Sequence, residues 1–264
     1  ERVHKFSAIQ TEQSKRLGYF MDWDNSYFTM SDENNYWIWH FLKVCFEKGW
    51  IYKGRDSVPW CPRCETAISQ HEMLTEDYKE LTHETVFVKL PITTKGWENT
   101  HLLVWTTTPW TVPANVAVGI NTKYDYGIWE DRVTKEKYIF LHYGEERKPP
   151  TRVRQKDNAV LSLEAWIMDE TKKNLQNVGT IAIRELLNLK YKAPFDELER
   201  VRKSKQENPY TFHSVIDASE VVSDVEGTGL LHVAPGAGQE DFKLGLKEHL
   251  SVISVIADNA DYLD

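Results

Sequence analysis

Val104-Trp105-Thr106-Thr107-Thr108-Pro109-Trp110-Thr111-Val112-Pro113-Ala114-Asn115 is a run of residues that ordinary structural pressure does not ask for. Threonine suits a strand, where its branched Cβ packs on a pleated surface, but Pro109 and Pro113 deny a ladder its donors and end the strand near Thr108. The strand therefore delivers Thr106, Thr107 and Thr108 to its own mouth. Each offers a methyl that limits the size of a pocket and a hydroxyl that can hold a polar ligand atom. Read for structure alone, the same residues make a threonine-rich edge strand closed by a proline turn.

A second stretch runs from Gly227 to Phe242: Gly-Thr-Gly-Leu-Leu-His-Val-Ala-Pro-Gly-Ala-Gly-Gln-Glu-Asp-Phe. It reads as a short apolar strand carrying His232, a glycine-rich turn, and Asp241 in the first turn of a helix. Taken together, Trp-Thr-Thr-Thr-Pro-Trp-Thr-x-Pro-Ala-Asn and Gly-Thr-Gly-x-x-His-x-Ala-Pro-x-x-Gly-x-x-Asp-Phe resemble the editing domain inserted into isoleucyl-tRNA synthetases, which are class I aminoacyl-tRNA synthetases. The valyl and leucyl relatives carry Thr-Thr-Arg-Pro in the first motif, where this sequence has Thr108 before Pro109.

The resemblance implies an α+β fold: a β-barrel-like editing domain with flanking helices over residues 82–264, preceded over residues 1–81 by a helical stem with a Cys-x-x-Cys knuckle. It also implies hydrolysis of valyl esters from the tRNA for isoleucine. Thr106, Thr107, His232 and Asp241 take the catalytic positions; Thr108, Trp110, Asn115, Thr228 and again Asp241 take the substrate-binding ones. Asp241 is the anchor for the α-ammonium of the ester, expected to be held ionised by the helix dipole. The threonines and His232 form the walls, and Asn115 offers an amide to the terminal adenosine or to water. Without the family match, Asp241 reads as a helix cap and His232 as a core histidine. The need for such a reaction is physical: a pocket for isoleucine rejects valine by only about 1–3 kcal/mol, and isoleucine against valine is itself the worked case behind that figure.

The partners implied are the 3′ end of an aminoacylated tRNA and the rest of the synthetase chain. The editing step calls for no cofactor; ATP and Mg belong to the full-length synthetase, whose signatures His-Ile-Gly-His and Lys-Met-Ser-Lys-Ser do not occur here. The chain is thus expected to be an excised domain without aminoacylation activity. Two alternatives stand beside this reading: a valyl-type editor that removes threonine, and a non-catalytic module that binds the tRNA end. The presence of Thr106, Thr107, His232 and Asp241 speaks against the second.

Composition sets bounds. With 264 residues, 41% of them hydrophobic, the chain can bury a substantial core. A net charge of -8 argues against a protein that coats nucleic acid, so contact with RNA should be local. Of three cysteines, two form Cys61-x-x-Cys64, a metal or redox spacing that points to a reducing, cytoplasmic setting. Cys61 and Cys64 supply half of a zinc site, and related synthetases complete such a knuckle with a second Cys-x-x-Cys, which this sequence lacks. No charged-then-apolar leader opens the chain, and no apolar run reaches the roughly 18 residues that span a bilayer.

Along the chain, residues 1 to 17 read as a helix with Phe6, Ile9 and Leu17 inward. Asp32 to Glu47 read as another, capped by Ser31 or Asp32 and stopped by Gly49. Thr85–Leu90, His101–Thr107, Asn115–Ile120, Tyr124–Trp129 and Tyr138–His142 read as short strands in series, as in a barrel or sandwich. Ala159 to Asn174 looks helical, Leu187–Tyr191, Tyr210–Asp217 and Ser251–Ala257 look like strands, and Asp196 to Asn208 is a charged run read as a solvated loop. That run and Arg147 to Lys156 are the basic clusters able to meet tRNA phosphates.

Overall fold

A computed structural model describes residues 1–74, 82–144, 152–154 and 159–263. The chain forms two compact units, Glu1–Arg55 and Asp56–Asp264. The boundary expected after residue 81 adjoins residues 75–81, which lie outside the described residues, as does most of the basic stretch Arg147 to Lys156.

The first unit holds helices α1 (Arg2–Arg16) and α2 (Asp32–Glu47). Helix α2 starts where its cap residue demands: the Ser31 hydroxyl accepts from the Asn34 N–H, and Asp32 and Glu33 occupy the positive end of the helix. Gly49 follows it with φ +72°. Phe6, Ile9 and Leu17 are exposed and not inward as expected, and in α2 only Cys45 is buried. Two helices without a sheet have too little surface to cover their own aromatic residues.

The second unit begins with a hairpin of β1 (Trp60–Cys61) and β2 (Thr66–Ala67), then α3 (Gln70–Leu74). The Trp60 indole N–H donates to the Asp258 carbonyl at 2.7 Å, which pins the hairpin to the far end of the chain. Next come β3 (Val86–Pro91), β4 (Thr100–Thr106), a 3₁₀ helix Pro109–Ala114, β5 (Ala117–Ile120), β6 (Asp125–Asp131) and β7 (Lys137–His142). The remaining elements are β8 (Arg152–Arg154), β9 (Ala159–Leu161), α4 (Leu163–Thr171), β10 (Leu175–Ile181), α5 (Ile183–Leu186), α6 (Glu199–Glu207), β11 (Ser214–Asp217), β12 (Leu230–Val233) and α7 (Gln239–Lys247).

The fold is mixed α+β. A five-stranded sheet runs β10-β6-β7-β4-β3, a three-stranded sheet runs β11-β5-β12, and β8 pairs with β9. Strand β5 is the hinge of the site: β11 lies parallel to it and β12 antiparallel, with His232 opposite Val118. Strand β12 also lies beside β4, so the two sheets meet where β4 ends. One core, built on Leu102, Val104, Tyr126, Tyr138, Ile139, Phe140, Leu163 and Ile167, fills the larger sheet and α4. A second, built on Ala114, Val116, Phe212, Val233, Ala234 and Leu244, lies under β5, β12 and α7.

Several elements differ from expectation. The segment read as one helix from Ala159 to Asn174 splits at Ser162, whose hydroxyl caps α4 by accepting from the Ala165 N–H. Residues 187–191 form no strand; α5 precedes them, and only Lys190 and Tyr191 make isolated bridges. The charged run read as a loop carries α6, which buries Val201 and Ser204 on one side. Ser251–Ala257 forms no strand beyond a bridge between Ile256 and Tyr262. Strand β10, Leu-Gln-Asn-Val-Gly-Thr-Ile, goes unseen in sequence because its middle is polar and a bulge at Asn177–Gly179 breaks its alternation.

Candidate functional site

Strand β4 ends at Thr106, and Pro109 opens the 3₁₀ helix that follows, so the two prolines end the ladder as the sequence predicts. The turn is held by its own hydroxyls. Thr106 Oγ1 accepts from the Thr108 N–H at 3.1 Å and lies 3.3 Å from Thr108 Oγ1, while Thr111 Oγ1 donates to the Thr108 carbonyl at 2.8 Å. Thr106 is buried; Thr107 and Thr108 are exposed at the rim. The Thr107 hydroxyl has no hydrogen-bond partner among the described residues and is the one best placed to meet a ligand.

A cavity of about 340 Å³ opens at this turn, lined by Trp105, Thr106, Thr107 and Thr108 on one side and by His232, Glu240 and Asp241 on the other. Val221, Val222, Ser223, Glu226, Gly227 and Gly229 to Leu231 complete it. Gly227 and Gly229 both have positive φ, and a Cβ on Gly229 would stand 2.6 Å from the Leu141 Cβ, so only glycine lets this wall close on the large sheet. The Tyr126 hydroxyl donates to the Gly229 carbonyl at 2.9 Å and the Leu141 N–H donates to the Thr228 carbonyl at 2.9 Å, fixing the same wall.

The cavity brings together five of the expected site residues, Thr106, Thr107, Thr108, His232 and Asp241. It does not include Trp110, Asn115 or Thr228 in its lining. Trp110 is exposed on the 3₁₀ helix, and Thr228 is fully buried. Leu231 lines the cavity beside His232, although the two are successive residues of β12.

His232 is held at both nitrogens. Asn115 Nδ2 donates to the Ala117 carbonyl at 3.1 Å, which fixes the amide orientation, and its second hydrogen reaches His232 Nδ1 at 2.7 Å. Nδ1 is therefore an acceptor, the ring proton sits on Nε2, and Nε2–H donates to Thr111 Oγ1 at 2.9 Å. The Tyr191 hydroxyl closes the chain by donating to Asn115 Oδ1 at 2.6 Å. Burial drives the imidazole pKa down to about 4, against a small opposing contribution from a backbone hydrogen bond at Thr111. His232 is thus a neutral, immobile ring with no lone pair to spare for a proton. Asn115, expected to offer its amide to adenosine or water, has no amide hydrogen left to give.

Asp241 also departs from expectation. The N-cap of α7 is Gly238, and the Asp241 carboxylate accepts from the Ala234 N–H at 2.8 Å, outside the helix. Burial raises its pKa to about 6, the Ala234 bond opposes that, and neighbouring Glu240 raises it further. Desolvation outweighs the helix dipole that was expected to keep it ionised. Glu226, Glu240 and Asp241 give the cavity three carboxyl groups, and its lining contains neither lysine nor arginine. Such a cavity suits a cation and repels phosphate.

The family described as tRNA synthetases class I (I, L, M and V) matches residues 1–218. The chain belongs to the class I tRNA synthetases. It is 36% identical over 254 residues to the isoleucine--tRNA ligase of Saccharolobus islandicus, covering 96% of this chain, and 38% identical over 258 residues to that of Pyrococcus furiosus, covering 97%. In each case the chain spans 22% of the relative's length. A solved structure titled "The crystal structure of GlLeuRS-CP1" aligns at a TM-score of 0.41 and 17% identity, over 64% of this chain and 66% of that one, a likeness too loose to argue from.

Within this class I synthetase chain, sequence reading overlooks Tyr191, Ser223, Glu226 and Glu240. Glu240 stands beside Asp241 in the second motif and could have been found there; nothing in the local pattern of the other three signals a site. Cys61 and Cys64 lie on the β1–β2 hairpin, and among the described residues no third His, Cys, Asp or Glu joins them in a group able to hold a metal. No helix among the described residues is long and apolar enough to cross a membrane.

Proposed function

We propose that the cavity is a deacylation site that hydrolyses valyl esters of the tRNA for isoleucine. The observation that carries this reading is the pairing of an acid-lined cavity with a neutral, doubly tethered His232. An aminoacyl ester brings a cationic α-ammonium and a small aliphatic side chain. The ammonium meets Asp241, which ionises as the cation replaces lost solvation. The side chain meets His232 and the threonine methyls, and an inflexible ring rejects an added methyl at a cost of about 1–3 kcal/mol. His232 does not serve as general base, because both of its nitrogens are engaged. Water attack falls to the free Thr107 hydroxyl and a ribose hydroxyl of the terminal adenosine as positioning groups.

In this reading the two sheets form the barrel-like shell of an editing domain, and the first unit with the Cys61–Cys64 hairpin is its stem. The exposed aromatic face of α2 then packs on the rest of the synthetase chain in the cytoplasm. Zinc at Cys61 and Cys64 requires two ligands from that remainder, which would also supply the site for ATP and Mg. The 3′ end of the tRNA enters with the acyl group leading, because the carboxyl groups repel its phosphates.

The test is deacylation of the isoleucine tRNA charged separately with valine and with isoleucine. Faster release of valine than of isoleucine supports the reading; equal rates, or none above the uncatalysed background, overturn it.

A further inference from the structure

Tyr191 lies outside the cavity lining, yet it holds the end of the hydrogen-bond chain that fixes the cavity's histidine. It sits one residue past Lys190 in the bridged segment beside β11, buried, with its ring stacked on His213 at a centroid distance of 4.9 Å. Its N–H donates to the His213 carbonyl and His213's N–H donates to the Val116 carbonyl, which places the phenol next to Asn115. A ring that only filled the core would need no hydroxyl there. The hydroxyl instead donates to Asn115 Oδ1 at 2.6 Å, the shortest link in a directional series: Tyr191 to Asn115, Asn115 to His232 Nδ1, His232 Nε2 to Thr111, Thr111 to the Thr108 carbonyl.

We propose that Tyr191 is a positioning residue that sets the tautomer and orientation of His232 through the Asn115 amide, and that side-chain discrimination in the cavity depends on it; this second half rests on the deacylation reading.

The physical reason is that an amide offers two faces. Turned over, Asn115 would present Oδ1 to His232, the ring proton would move to Nδ1, and the Thr111 hydroxyl would have to donate to Nε2 and abandon the Thr108 carbonyl. That release would loosen the turn carrying Thr106 to Thr108. The Ala117 carbonyl and the Tyr191 hydroxyl oppose the turned state together, one by accepting from Nδ2 and the other by donating to Oδ1. Removing the hydroxyl leaves Oδ1 as a buried acceptor without a donor, and a buried acceptor seeks the nearest proton, here one on Nδ1 of the histidine.

The experiment is Tyr191→Phe, which keeps the ring and its stacking on His213. Imidazole ¹⁵N spectra of the ligand-free protein should show one Nε2–H tautomer for His232 in wild type and a mixture with Nδ1–H in the variant. The ratio of valyl- to isoleucyl-tRNA deacylation rates should fall about tenfold, the equivalent of one hydrogen bond. An unchanged His232 spectrum in a folded variant overturns the proposal, even if the melting temperature drops, because a merely structural tyrosine would act that way. If the variant does not fold, wild-type protein decides: the Tyr191 hydroxyl proton should be slowly exchanging and close in space to the Asn115 amide, and its absence there overturns the assignment. If wild type hydrolyses neither ester, the deacylation reading and the claim on discrimination fail together, while the ¹⁵N spectra still decide whether Tyr191 governs the tautomer.

Discussion

Helix α2 and strand β4 are both dense in large apolar side chains, and they end in opposite surroundings. In α2, Trp37, Trp39 and Phe41 stand 65–70% exposed, whereas Leu102, Leu103 and Val104 of β4 are at most 3% exposed. The strand has β3 and β7 paired on its two edges and α4 packed in the same core; the helix belongs to a unit with one other helix. The difference teaches that hydrophobic content fixes which surfaces must be covered, but neighbours decide whether the same chain covers them. The unit that closes its own core is the one that owns the cavity.

The comparison breaks if chemistry at the cavity does not depend on the residues of the closed unit. The largest expected effect is from Asp241→Ala, which should lower kcat/KM for valyl-tRNA deacylation by about 2–5 kcal/mol, on the order of 30- to 3,000-fold. Activity per folded molecule that survives this change would make Asp241 structural. On stability, Leu102→Ala should cost about 2–5 kcal/mol in a denaturant titration, and Trp37→Ala less than about 0.5 kcal/mol. Equal costs would show that α2 is in a core after all.

A smaller effect sharpens the picture of the wall. His232→Ala should open the cavity, so that isoleucyl-tRNA is hydrolysed while valyl-tRNA deacylation survives, shifting the ratio of rates by about 1–3 kcal/mol. An unchanged ratio would move the steric role to the threonines.

The pH dependence is set by Asp241. Its folded pKa is raised to about 6 from 3.8, so its contribution to stability is fully present below 3.8 and is lost as pH rises through about 6. Asp241→Asn keeps an acceptor for the Ala234 N–H and removes that loss. It should therefore melt higher than wild type above pH 6, and not at pH 4, while losing deacylation. In wild type, kcat/KM corrected for the uncatalysed rate should rise with pH through about 6, because only the ionised carboxylate holds the ammonium. A profile flat across that range would exclude Asp241 as the anchor. His232, already neutral above about 4, should add no second inflection near 6.5.

Much of this was legible in the sequence where the cause is local. Ser31 marks the start of α2, and Pro109 the end of β4. What escaped depends on distant partners. Asn115 looked like a free amide because nothing in Pro113-Ala114-Asn115 reveals that Tyr191 and His232 will consume it. Asp241 looked ionised because a helix start is visible in sequence, and the depth at which it is buried is not. Phe6, Ile9 and Leu17 looked like core because periodicity reports a face, never what lies against it.

His232 meets Thr111 across 121 residues of chain and Asn115 across 117. The threonine turn, its proline and its amide are all present once the first half of the chain has been made, but the histidine, the glycine wall and Asp241 arrive more than a hundred residues later. Strand β5 waits between them, since both of its neighbours, β11 and β12, lie downstream. The cavity therefore cannot close until the later stretch is present. A ribosome must deliver α7 before any pocket exists, and the loop that joins the two halves has to close against its own entropy. A nascent chain halted before residue 221 would carry the threonines of the site with no wall to face them.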